Sequence, residues 1–206
     1  MIKAKHHFLI YPFFVWLTLF LLKRRFHQIN IIGEFNNENK PTLIIANHIS
    51  WWDGFWIAYL NEKKIHRKIH FMMLEEQLKK HWYFNYCGGY SVRKKTHSII
   101  ESLEYTVDLL NIPQNMVLMF PQGEIKSMHE QEIIFEQGIQ RVLQKVSKEI
   151  QIVLVANIVD YFSNPKPSLY MYIKGYSGSG LDKLSLESEY NAFYQTVLNS
   201  QKKLEN

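Results

Sequence analysis

Among 206 residues the chain has one cysteine, Cys87. That excludes an intrachain disulfide, makes a reducing compartment the default and leaves no thiol cluster to hold a metal. Internal repeats and low-complexity tracts are also absent, so the sequence reads as an ordinary globular chain. Its main apolar run, FLIYPFFVWLTLFLL from Phe8 to Leu22, falls short of the about 20 residues that a bilayer-crossing helix needs. The run lacks the small-residue cleavage site of a secretory signal. Paired zinc ligands, a basic recognition helix and an aromatic strand motif are missing too, which speaks against nucleic acid as a partner.

What is present fits one domain with a sizeable core: 47% hydrophobic and 15% aromatic residues, with a formal charge of +5. The basic excess suits an anionic partner, and membrane phospholipid or a phosphorylated small molecule qualifies. Lys3 and Lys5 precede the apolar run, and Lys23, Arg24 and Arg25 follow it. With Trp16 and Tyr11 near the headgroups and Pro12 bending or starting the helix, residues 1–28 read as a membrane-associating segment that lies in the interface. The expected location is peripheral or monotopic, at the cytoplasmic face of a membrane. A helix buried in a soluble core is the alternative.

Residues 29–206 read as the main domain. QINIIGEF is a short strand, and TLIIA after Pro41 a buried one. Ser50 is placed to cap a helix that starts at Trp51 and runs through GFWIAYL. KKIHRKIHFMML ends in a strand, and EEQLKKHWYFNYCGG reads as a helix stopped by its glycines. Ile99, Ile100, Leu103, Val107 and Leu110 define one side of a further helix. MVLMFP is a strand stopped by Pro121, and EQEIIFEQGIQRVLQKVSKE an amphipathic helix. QIVLVANIVDYF has strand character, SLYMYIKGY alternates like an edge strand, and Leu184 to Leu204 reads as a surface helix. Strands alternating with helices predict an α/β domain, a mixed sheet flanked by helices.

Ligands in such sheets sit beyond the carboxyl ends of the strands. NHISWWD and FPQGE both lie there. In NHISWWD, a turn at Ile49 and Ser50 followed by a first helical turn brings Asp53 back toward His48. A neutral imidazole takes a proton near pH 7, and a carboxylate on its other nitrogen fixes the tautomer. The same spacing also fits a helix N-terminus in which Asp53 complements the dipole and His48 is a turn residue.

The Asn-His-x-Ser-x-x-Asp pattern resembles the first motif of the glycerolipid acyltransferases, membrane-associated enzymes typified by 1-acylglycerol-3-phosphate acyltransferase. GGYSVRK, FPQGE and IVLVA follow in the order of that family's later motifs, so the resemblance covers about residues 30 to 175. It implies His48 as catalytic base and Asp53 as its partner, in transfer of a fatty acyl group from acyl-CoA or acyl carrier protein to a lysophospholipid, lipid or sugar hydroxyl. No metal or redox cofactor is implied. Arg93 and Lys94 would meet an anionic group. Gln122, Gly123 and Lys126 would bind acceptor or oxyanion, with backbone N–H groups around Gly123 as oxyanion donors. Thioester hydrolysis, or noncatalytic lipid binding on the same fold, are the other readings.

Several positions depart from the family pattern. Gln122 stands where glutamate is usual, and Leu154 where proline is common. Ile125 replaces an arginine that would pair bidentately with phosphate, leaving Lys126 as a point charge. That loss points away from a simple phosphorylated acceptor. Trp51 and Trp52 would shape an acyl channel or simply pack, and KKIHRKIH would be a solvated face or meet headgroups or the phosphates of coenzyme A.

Overall fold

The computed structural model describes residues 1–93, 98–146, 149–178 and 180–204. A seven-stranded sheet is built from β1 (Ile29–Ile32), β2 (Thr42–Ala46), β3 (Lys68–Leu74), β4 (Gly89–Val92), β5 (Asn115–Met119), β6 (Gln151–Asp160) and β7 (Ser168–Gly175) in the order β1-β7-β6-β2-β5-β3-β4. Strands β6, β2, β5, β3 and β4 are parallel, whereas β7 runs antiparallel to β6 and carries β1 with it. The sheet is therefore mixed, as anticipated. The carboxyl ends of five strands and the starts of β1 and β7 share one edge.

Two helices, α1 (Ile10–Arg25) and α2 (Asp53–Leu60), pack on one face through Leu22, Trp56, Ile57 and Leu60. The other face is covered by α4 (Ser98–Leu109), α5 (Gly138–Lys145) and α6 (Lys183–Gln201) through Leu103, Val107, Ile139, Val142, Tyr190 and Tyr194. Short α3 (Glu75–Lys80) closes the β3–β4 connection. Strand β2 sits mid-sheet with all five residues buried, which is why TLIIA is uniformly apolar.

Several expected elements differ. The 130–149 helix shrinks to Gly138–Lys145. Ahead of it Asn191 clamps the backbone of Ile133 at both its N–H (2.7 Å) and its carbonyl (2.9 Å), so Ile133 and Phe135 enter the core from extended chain. Instead of an edge, β7 lies between β1 and β6, and its alternating tyrosines are buried. The last helix is no surface helix: Tyr190 is fully buried and its hydroxyl donates to the Val155 carbonyl at 2.8 Å. The 75–89 helix breaks at His81 into α3 and a 3₁₀ turn, Trp82–Tyr86.

Strand β4 was not foreseen, and neither was its partner at the start of the chain. Lys5 N–H donates to Asn85 O, Gly88 N–H to Lys5 O and Ser91 N–H to Ile2 O, each at 2.9 Å. The first residues thus run along the β4 edge before α1 begins. From there α1 crosses the sheet face with Leu22, and then Phe26, in the core. Its opposite side exposes Phe13, Trp16 and Phe20 at helical spacing. Among the described residues no helix is long and apolar enough to cross a membrane.

Candidate active site

At the end of β2 the chain turns through Asn47 to Trp52 and enters α2 at Asp53. Asn47 is fully buried and fixes the turn to β6, accepting from Asn157 N–H at 2.8 Å and donating to Asn157 O at 2.9 Å. The helix begins two residues later than expected, because Ser50 Oγ accepts from Trp52 N–H at 3.1 Å and does not cap Trp51 onward.

Asp53 gathers this turn around one oxygen. Its Oδ2 accepts from His48 Nδ1 at 2.7 Å, from Ile49 N–H at 2.7 Å and from Ser50 N–H at 2.9 Å. A carboxylate only accepts, so the proton sits on Nδ1 and leaves Nε2 as the basic nitrogen. Oδ1 is buried without a partner among the described residues. Burial pushes the Asp53 carboxyl above its ordinary value, against the opposing pull of His48 and the two backbone donors. The His48 side chain is 22% exposed, and its ring stacks on Phe120 with centroids 4.1 Å apart. One face is packed, one nitrogen is held and the last nitrogen remains for chemistry.

The second stretch converges on the first. Gln122 Oε1 accepts from His48 N–H at 2.6 Å, and Lys126 N–H donates to His48 O at 2.9 Å. Residues 120–126 therefore grip the histidine's backbone from both sides, across about seventy residues of sequence. Gly123 turns with φ +69°, and its N–H closes the turn onto Phe120 O at 3.1 Å. That amide is thus engaged within the turn.

The basic residues divide. Arg93 makes a two-point contact with Glu75, both bonds at 2.7 Å, and Lys79 joins the same carboxylate. Arg93 first and Lys79 next hold the Glu75 carboxyl down at about 2. Lys126 pairs with Glu124 at 2.5 Å. Lys94 lies outside the described residues. KKIHRKIH is remote from His48: Lys68 opens β3 at the far edge, and Arg67 bonds to Pro113 O and Asn37 Oδ1. Trp51 is half exposed and joins Trp52, Phe55 and Phe84 in a continuous ring cluster. Through Phe84 and Phe14 the cluster reaches an apolar hollow of about 330 Å³, lined by Leu9, Ile10, Phe13, Phe14, Trp82 and Tyr83. No group of three or more metal-ligating side chains occurs among the described residues.

A buried aspartate orienting a histidine at the strand ends of an α/β sheet is an arrangement able to carry out general-base chemistry. The acyltransferase family model matches residues 28–158, and the chain belongs to this family. Over 100 residues it is 23% identical to a 1-acyl-sn-glycerol-3-phosphate acyltransferase of Streptococcus pneumoniae, a match spanning 47% of this chain and 35% of that relative. The crystal structure of PlsC, the 1-acyl-sn-glycerophosphate (LPA) acyltransferase of Thermotoga maritima, shares the fold with a TM-score of 0.61 at 13% identity, covering 95% of this chain and 80% of that one.

Proposed function

We propose that the protein is an O-acyltransferase that moves a fatty acyl group from a thioester, acyl-CoA or acyl carrier protein, to the hydroxyl of a lysophospholipid-type acceptor. One observation carries the reading: the 2.7 Å bond from His48 Nδ1 to buried Asp53, which leaves Nε2 as acceptor. In the reaction Nε2 takes the acceptor's hydroxyl proton as that oxygen attacks the thioester carbonyl. Asp53 stabilises the imidazolium, and the tetrahedral intermediate expels the thiolate, which recovers the proton. Gln122, whose Oε1 already holds His48 N–H, offers its amide donors to the developing oxyanion.

The exposed Phe13, Trp16 and Phe20 stripe, continued by Leu9 and Trp82, supports docking on a bilayer surface, with the acyl chain running along the ring cluster toward the hollow. The reaction would then take place at the cytoplasmic face of the membrane. The test is product analysis by mass spectrometry with labelled palmitoyl-CoA, then palmitoyl acyl carrier protein, and 1-acylglycerol-3-phosphate in detergent micelles. A labelled diacyl product supports transfer. Free palmitate alone, or no turnover with either donor by folded protein, overturns it.

A further inference from the structure

An acceptor with a phosphate needs a cation that is not already neutralised. Arg93 is bound to Glu75 and Lys126 to Glu124. A different basic residue stands at the same edge of the sheet. Because β1 runs antiparallel to β2 through β7 and β6, the end of α1, which feeds β1, opens on the edge that carries His48. His27 N–H donates to Pro167 O in the β6–β7 turn at 2.8 Å and fixes that placement.

The faces agree as well as the ends. By strand alternation the His48 side chain follows Ile44 and Ala46, which face α1 and α2. Arg25, the last residue of α1, is exposed, and its guanidinium carbon lies 5.1 Å from the ring centroid of Trp52, the residue before Asp53. No carboxylate pairs with Arg25 among the described residues. A helix C-terminus by itself favours a cation. Stacking adds what the dipole does not, because a guanidinium held by its flat face keeps its N–H edge for a bidentate oxyanion.

We propose that Arg25, stacked on Trp52, binds the phosphate of the acyl acceptor and takes the part that Ile125 cannot play. The inference rests on the acyl-transfer reading, and its test separates the two. Full-length R25A and R25K in detergent micelles are titrated with 1-acylglycerol-3-phosphate and with uncharged 1-monoacylglycerol, without acyl donor, following tryptophan fluorescence. Initial rates with both acceptors are measured in parallel.

R25A is expected to weaken binding of the phosphorylated lipid, and raise its KM, by about 10-fold or more, the scale of a charge-assisted contact. Its kcat and its handling of monoacylglycerol should stay at the wild-type level, and R25K should recover part of the loss. Equal losses for both lipids, or none, overturn the proposal. So does an R25A defect in flotation with phosphatidylglycerol vesicles that matches the acceptor defect, since the guanidinium would then contact bulk headgroups. If wild-type protein transfers acyl groups to neither acceptor, the proposed function falls, and the micelle titration still decides Arg25.

Discussion

Two histidines on this sheet have opposite fates. His48 follows β2, donates through Nδ1 to Asp53 and keeps Nε2 at a partly open edge. His70 lies inside β3 on the face toward α4, 4% exposed, with both ring nitrogens buried and unpartnered among the described residues. His6 meets it edge-on at 4.9 Å, and the nearby Asn115 amide already donates to Leu109 O. Burial first, and His6 next, push the His70 imidazole down to about 4. Both rings are packed. What separates them is an anionic partner on one nitrogen and a reachable surface for the other, the combination that general-base chemistry requires.

Removing the proposed base has the largest expected effect. H48A should lose about 10⁴-fold in kcat/KM for acyl transfer, the upper range for general-base catalysis, with an unchanged far-UV circular dichroism spectrum. D53N should lose about 10²- to 10³-fold, since it frees the tautomer while the nucleophile and donors remain. Wild-type activity should fall on acidification at a pH above the ordinary carboxylate range, because the Asp53 carboxyl is raised and must be ionised to orient His48. For stability the sign reverses. A raised carboxyl contributes most when protonated, and that contribution is lost as pH rises through its value. Chemical denaturation at pH 7 should therefore find D53N no less stable than wild type.

The other histidine should show the converse. H70L is expected to keep its acyl-transfer rate within about twofold while altering the acid stability profile. A depressed imidazole leaves the folded state complete above the unfolded value of 6.5, and stability falls as pH drops from there toward about 4. The loss reaches about 3 kcal/mol for a fully buried ring. Denaturation midpoints across that range should fall for wild type and stay flatter for H70L. On the catalytic side Q122A should lose about 10²-fold in kcat, since it releases the His48 backbone and removes the amide donors proposed for the oxyanion without touching the imidazole. Smallest is E75Q, whose deficit against wild type should be present above the usual carboxylate range and vanish as pH falls to about 2.

One side of this contrast was legible in the sequence, whereas His70 was hidden in the basic stretch KKIHRKIH, which reads as a solvated face. The spacing of His48 and Asp53 after an apolar strand foretold their bond, and the FPQGE stretch was placed at the right edge. Local patterns could not assign the Arg93 guanidinium to Glu75, because that pairing depends on β3 and β4 lying side by side. The backbone N–H groups around Gly123 read as candidate donors, and the closing of Gly123 N–H on Phe120 O depends on a turn geometry that no local pattern carries. Tyr190 and Tyr194 have the polarity of a surface helix in sequence and bury their rings against β6. The first seven residues carried no strand signal of their own, since their pairing is borrowed from the β4 edge. Arg25 was read as part of a basic flank, whereas its stack on Trp52 depends on how α1 crosses the sheet.

The most direct test is a side-by-side assay of H48A and H70L for ester formation from labelled palmitoyl-CoA and 1-acylglycerol-3-phosphate, with folding checked by circular dichroism. The account predicts no labelled ester above background from H48A and wild-type product from H70L. Transfer retained by folded H48A, or equal losses in both variants, would contradict it.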